Sequence, residues 1–151
     1  MAPRSDWRTP LPAGFHISAI DDRFSELSNL SNWSEVVAEI ESCWRSVREF
    51  RRTGFGFVTH DAETVVCWCT AESVSDRKCG IGIETVAPYR DRGFATQTAA
   101  RFLEQCAERG LVPFWDAWRA NLPSVAVANK LGLQEAETYS VHVCETTGAQ
   151  R

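Results

Sequence analysis

The sequence has no long apolar run. No stretch approaches the ~18 consecutive apolar residues that a membrane-spanning helix needs, and the opening residues MAPRSDWRTPLPAGF contain no apolar segment of the secretory kind. Both absences point to the cytosol. A basic stripe is missing too: the formal charge is −4, with the two signs interspersed, which argues against nucleic acid as a partner. No internal repeat or low-complexity block is present, so a solenoid or a linker-rich array is excluded. Neither the three spaced glycines of a dinucleotide fold nor the Gly-Lys-Ser/Thr of a P-loop occurs. Cysteine is not scarce, with Cys43, Cys67, Cys69, Cys79, Cys106 and Cys144, but its spacing lacks the paired ligands of a structural zinc site. Cys67-x-Cys69 with Cys79 and His60 therefore reads as small buried hydrophobes rather than a metal centre. A reducing compartment keeps all six as thiols, none has a basic partner that the sequence places beside it, and no metal is expected.

What is present is enough apolar material for a core. At 151 residues and 44% hydrophobic content the chain fits one domain and is short for two. Residues 1–14, rich in proline and without periodicity, read as an N-terminal arm, residues 15–145 as the domain, and residues 146–151 as a C-terminal tail. Residues 15–20 form the first strand candidate. Residues 34–50 carry Val36, Val37, Ile40, Cys43, Trp44 and Val47 at helical steps, with Ser34 as N-cap. Residues 55–59 and 64–70 read as a hairpin, and a polar turn at 72–78 leads to a strand at 79–86. A long amphipathic helix is expected over 93–109, stopped by Gly110, then a strand over 112–118 and a short helix over 125–131 capped by Asn121. Strands at 133–138 and 139–144 complete the pattern. The fold class is α/β: a mixed sheet, antiparallel in its first half, with one parallel strand-helix-strand crossover and flanking helices.

The crossover carries the chemistry. Its first strand leaves into Tyr89-Arg90-Asp91-Arg92-Gly93-Phe94-Ala95-Thr96, at the start of the long helix. Unpaired backbone N–H groups and the helix dipole favour an anion there. Gly93 lets backbone approach a ligand, Ala95 keeps the next turn uncrowded, and Arg90 and Arg92 add positive charge. A phosphate or pyrophosphate suits this loop.

Arg90-x-x-Gly93-x-Ala95 on a strand-to-helix turn resembles the motif of the GNAT superfamily of acyl-CoA N-acyltransferases. Ile81-Gly82-Ile83-Glu84-Thr85, Pro88-Tyr89-Arg90, Trp115-Asp116, Asn121-x-x-Ser124 and Lys130-Leu131-Gly132-Leu133 resemble one branch of that superfamily. The likeness covers residues 79–133, about half of the chain. It implies a GNAT-like mixed sheet and an N-acyltransferase that moves an acetyl or other small acyl group from acyl-CoA directly to an amine. By the same resemblance the loop amides of Gly93, Phe94, Ala95 and Thr96, with Arg90 and Arg92, hold the coenzyme A pyrophosphate. The pantetheine arm runs beside Thr85 and Val86, and Asn121 and Ser124 contact the coenzyme. The acceptor is a small-molecule or peptide amine, and the oligomeric state is monomer or homodimer. Two alternatives stay open: a binding module without turnover, and an enzyme whose acyl donor rides on an acyl carrier protein.

Transfer to an amine needs a proton acceptor for the ammonium and a means to stabilise the departing thiolate. Alternation along the strand puts Gly80, Gly82, Glu84 and Val86 on one face. Glu84 thus lies on a face that two glycines leave open, and it is the first candidate base, with pairing to an arginine or to backbone as the structural alternative. Asp116 is expected among aromatics on its own strand. In many GNAT enzymes a tyrosine seven residues after an asparagine serves as the acid, but counting from Asn121 reaches Ala128. Tyr139 is the nearest substitute in sequence, with core or hairpin packing as its other explanation. Asn121 is also explained as a helix cap. His16 and His142 read as structural, and Trp68, Trp115 and Trp118 as mainly core.

Overall fold

A computed structural model describes residues 10–21 and 24–143. The sheet runs β1 (His16–Ala19), β2 (Gly56–His60), β3 (Val65–Val74), β4 (Lys78–Thr85) and β5 (Val112–Phe114) in that spatial order. The first four strands pair antiparallel and β4 pairs parallel with β5, the mixed topology expected. The helices are α1 (Phe24–Leu27), α2 (Trp33–Cys43), α3 (Val47–Thr53), α4 (Phe94–Glu108) and α5 (Leu122–Lys130).

Both faces of the sheet are covered, and β3 accordingly reads as a continuous buried run from Val65 to Ala71. On one face α4 presents Ala99, Phe102, Leu103 and Cys106 to Phe55, Phe57, Cys69, Cys79 and Ile81. Phe55 stacks on Phe102 with ring centroids 4.6 Å apart. On the other face Trp33, Val36, Ile40 and Phe50 pack on Val58, Val65 and Trp68. Neighbouring residues such as Phe57 and Val58 therefore serve opposite cores, as strand alternation requires. Between sheet and α4, the Thr59 and Thr98 hydroxyls share a 2.6 Å hydrogen bond, and Thr98 also donates to the Phe94 carbonyl at 2.7 Å.

Several expectations need correction. The single helix over 34–50 is two helices, because Trp44 turns to extended backbone. Its indole N–H donates to the Ala71 carbonyl at 2.7 Å, and Ser46 opens α3 by accepting from Glu49 N at 3.1 Å. The Ser46-x-x-Glu49 spacing of a capping box is the signal that the apolar periodicity concealed. Ser34 is not a cap, since α2 starts at Trp33 behind Asn32, whose amide bonds to the Val65 carbonyl at 3.1 Å. β3 runs on to Val74, so the turn before β4 is shorter than 72–78. β5 stops at Phe114 rather than Trp118, and α5 begins at Leu122 with Pro123 in its first turn. Residues 133–143 contain no strand; position 144 lies outside the described residues. Tyr139, Val141 and Val143 alternate as a strand would, yet all three are exposed, as is Trp118. No helix among the described residues is long and apolar enough to cross a membrane.

Candidate active site

β4 pairs with β3 along its length but with β5 only at Lys78, Cys79 and Gly80. Past Gly80 the two parallel strands part. Residues 81–85 thus have no second strand partner among the described residues, and a wedge opens along β4 toward the carboxyl end of the parallel pair. Ligands of α/β units bind at that end.

A 3₁₀ turn (Ala87–Tyr89) closes the end of β4, and Gly93 then takes a left-handed conformation (φ 81°) immediately before α4. The first bond of the helix is donated by Gln97 N to Gly93 O at 3.2 Å. The N–H groups of Phe94, Ala95 and Thr96 consequently have no intrahelical partner. A Cβ built on Gly93 meets nothing within 4 Å. The cradle is open, and its glycine is required by backbone conformation rather than by crowding. Phe94 anchors it from below: the ring is 1% exposed and lies 4.8 Å from that of Phe15. Arg92 stands over Tyr89 at 5.4 Å.

Arg90 ties the loop back to the strand. Its Nε donates to the Thr85 carbonyl at 3.0 Å and its Nη2 to Glu84 Oε1 at 3.1 Å. Glu84 is exposed and engaged in this ion pair. Thr85 Oγ1 donates to Cys67 Sγ at 3.3 Å, while Val86 N donates to the Val66 carbonyl at 2.9 Å. Asn121 Oδ1 accepts from Ser124 N at 3.3 Å, the expected cap, and the Ser124 hydroxyl accepts from Trp115 Nε1 at 3.0 Å. Tyr139 is exposed, neither in a core nor in a hairpin. A hydrogen bond to Asp116 holds the Tyr139 proton more firmly than usual, helped by the Asp116 charge. Asp116 itself lies beyond the end of β5, exposed, and not on a strand among aromatics.

The open glycine face of β4 is occupied by two carboxylates absent from the sequence-based candidates. A Cβ on Gly82 would stand 3.0 Å from both Glu39 Oε1 and Glu72 Oε1. Glu39 comes from α2. Glu72 is the extra residue of a β-bulge, where the β3–β4 register shifts between Ala71 and Ser73. Bulges re-aim side chains, and this one turns Glu72 over its neighbour strand. Partial burial raises the Glu72 carboxyl above its ordinary range, and the charges of Glu39 and Asp116 add to the effect. The side-chain ligand atoms of Glu39, Cys43 and Glu72 all lie within 4.8 Å of one another.

Three buried thiols are chemically quiet, and Cys144 lies outside the described residues. Burial pushes Cys67 up to about 11, and burial also raises Cys69 well above its ordinary range. Cys79 is raised by its hydrogen bond to Cys106 and by burial. His60 bonds Ser18 Oγ at 2.8 Å and the Asp61 carbonyl at 2.7 Å, an environment of strand ends rather than of ligands. The Trp68 indole N–H is buried and has no partner among the described residues.

A parallel pair that splays beside an N–H cradle is the arrangement that the GNAT resemblance implies. Residues 4–142 match the GNAT acetyltransferase family, and the chain belongs to it. It is 34% identical over 132 residues to the uncharacterised N-acetyltransferase YdfB of Bacillus subtilis (strain 168), covering 87% of this chain and 49% of YdfB. A GCN5-related N-acetyltransferase-like protein from Streptococcus suis 89/1591 superposes with a TM-score of 0.67 at 30% identity, over 80% of this chain and 47% of the other. The chain thus spans about half the length of these two relatives. The aminoglycoside N-acetyltransferase AAC(6')-Iy, solved in complex with CoA, has a TM-score of 0.63 at 15% identity, over 91% of this chain and 99% of its own. That likeness is one of fold.

Proposed function

We propose that the protein transfers an acetyl group from acetyl-CoA to the amine of a small cationic acceptor. One observation carries the reading: two carboxylates from distant segments converge over Gly82, beside the free edge of β4. The open N–H cradle at Gly93 fits a diphosphate, and Arg90, Arg92, Phe94, Ala95 and Thr96 complete it. An arm following β4 from Val86 back to Gly82 covers about 13 Å of extended strand. The donor's thioester is thereby brought toward Glu72, with Thr85 and Val86 beside the arm and Asn121 and Ser124 at the far wall of the wedge.

Glu72 is the proposed base. A carboxyl raised above its ordinary range is better matched to an ammonium than a fully solvated one. The ammonium gives a proton to Glu72, and the amine nitrogen forms a bond to the thioester carbon. The C–S bond then breaks, the nitrogen loses its second proton to solvent to leave a neutral amide, and the thiolate takes a proton from Tyr139 or from solvent. Glu39 and Asp116 add negative charge around the site, which favours acceptors with more than one positive charge. AAC(6')-Iy is named for an aminoglycoside, an example of that class, while a peptide N-terminus is the alternative acceptor. The test is thiol release from acetyl-CoA over polyamines, aminoglycosides and short peptides. Turnover with polycationic amines that exceeds turnover with neutral amines tenfold supports the reading. No thiol release with any amine, despite acetyl-CoA binding, would leave a binding module, and turnover only with carrier-bound donors would move the donor.

A further inference from the structure

A second cleft lies at the other end of α4, apart from the proposed acyl-transfer site. It is a half-open cleft of about 910 Å³ between α3, β2 and the C-terminal turn of α4, within the range of small-molecule sites, roughly 300–1,000 Å³. Its lining carries five arginines, Arg45, Arg48, Arg51, Arg52 and Arg109, against two carboxylates, Asp21 and Glu49. The whole chain has a formal charge of −4, so this concentration of positive charge is local. None of the five arginines is ion-paired with a carboxylate among the described residues. Arg109 is held over the Phe55 ring at 4.3 Å, which fixes the guanidinium plane while leaving its edge donors open.

Local helix electrostatics explain only part of the set. Arg51 and Arg52 lie in the last turn of α3 and Arg109 is the C-cap of α4, positions where cations complement the dipole. Arg48 lies in the first turn of α3 and Arg45 just before its cap Ser46, where positive charge is unfavourable. Their placement, in one cleft with the other three arginines, is accounted for by a shared anion. We propose that this cleft binds a small phosphorylated anion of the di- or triphosphate class. Three guanidinium charges in excess over carboxylates match such an anion, and the planar forks of arginine suit phosphate oxygens. The site is separate from the Gly93 cradle by the 15-residue length of α4, about 22 Å.

The experiment is calorimetric titration of the full chain with inorganic tripolyphosphate, with and without saturating CoA. With the Gly93 cradle saturated by CoA, the expected result is one tripolyphosphate site, which Gly93→Val leaves unchanged. Arg48→Gln/Arg52→Gln should weaken it tenfold or more. Arg109→Gln should weaken it on its own, which keeps the test valid if the double variant melts early. Loss of tripolyphosphate binding in Gly93→Val, full displacement by CoA, or affinity unchanged in the arginine variants would overturn the site. Single-stranded oligonucleotide binding tenfold tighter than tripolyphosphate through the same arginines would overturn the ligand class. Failure of CoA to bind at all bears on the acyl-transfer reading and leaves the arginine variants as the test of this one.

Discussion

The two ends of the wedge along β4 are built in different ways. The proposed donor end is contiguous: Glu84, Thr85, Arg90, Gly93 and the first turn of α4 lie close in sequence and are tied by short-range bonds. The proposed acceptor end is assembled from three distant segments, with Glu39 on α2, Glu72 at the β3 bulge and Asp116 after β5. Local chain geometry builds a cradle from one short segment of chain, so its shape depends on few other elements. Convergence of remote side chains makes a site that a shift in any one element changes, which is how one fold takes different acceptors.

The sharpest way to break that contrast is Glu72→Gln. If Glu72 takes the amine proton, turnover should fall by about 10²–10⁴-fold with acetyl-CoA affinity retained. Steady-state kinetics and equilibrium binding on one preparation check both halves. Turnover unaffected by chelator keeps Glu39, Cys43 and Glu72 as proton and charge handlers rather than metal ligands; loss in chelator reverses that assignment.

The donor end gives the next largest effect. Gly93→Val forces a β-branched residue into a left-handed conformation and puts bulk where a diphosphate would approach, so acetyl-CoA affinity should drop tenfold or more, about 1.4 kcal/mol. Gly93→Ala separates the two causes by adding less bulk at the same φ. Calorimetry showing wild-type affinity in a folded Gly93→Val protein would remove the cradle.

Glu84→Gln should act more gently. It breaks an exposed ion pair to Arg90, worth about 0.2–1 kcal/mol. Acetyl-CoA affinity is expected to weaken by no more than about fivefold, with kcat within threefold. A kcat loss of a hundredfold at Glu84 would instead move the base there, the role that strand alternation suggests.

These two ends also differ in how far the sequence discloses them. The strand, loop and helix around Gly93 are local, so periodicity, a glycine and a cap spacing were sufficient to place them. Gly80 and Gly82 announce an open face on β4, but which side chains fill it depends on a bulge and on the packing of α2, and neither leaves a periodic trace. The break at Trp44 arises from an indole reaching Ala71, 27 residues away, and β5 ends early although apolar residues continue to Trp118. Propensity is overridden by tertiary contacts in the first case. For residues 133–143, alternation alone does not supply a pairing partner.

The smallest effect concerns stability, and it tests the acceptor end without any substrate. Glu72 holds its proton more tightly in the folded protein than its ordinary value of 4.5, first through partial burial and then through Glu39 and Asp116. A carboxyl raised on folding costs nothing when it is protonated in both states. The cost appears as pH rises from the ordinary value through the raised one, and it persists at neutral pH. Glu72→Gln should therefore stabilise the protein at pH 7.5 and be close to neutral at pH 4. Glu72 is exposed, so screening keeps the gain below about 1 kcal/mol, a melting shift of no more than ~2–4 °C for a chain of this size. Added salt at pH 7.5 should narrow the difference, because it screens the part owed to Glu39 and Asp116. Calorimetric melting of both proteins at the two pH values decides the matter. A Glu72→Gln variant that melts lower at pH 7.5 would mean that the carboxylate braces the bulge through favourable bonds, and the strained acidic cluster would no longer distinguish the acceptor end from the donor end.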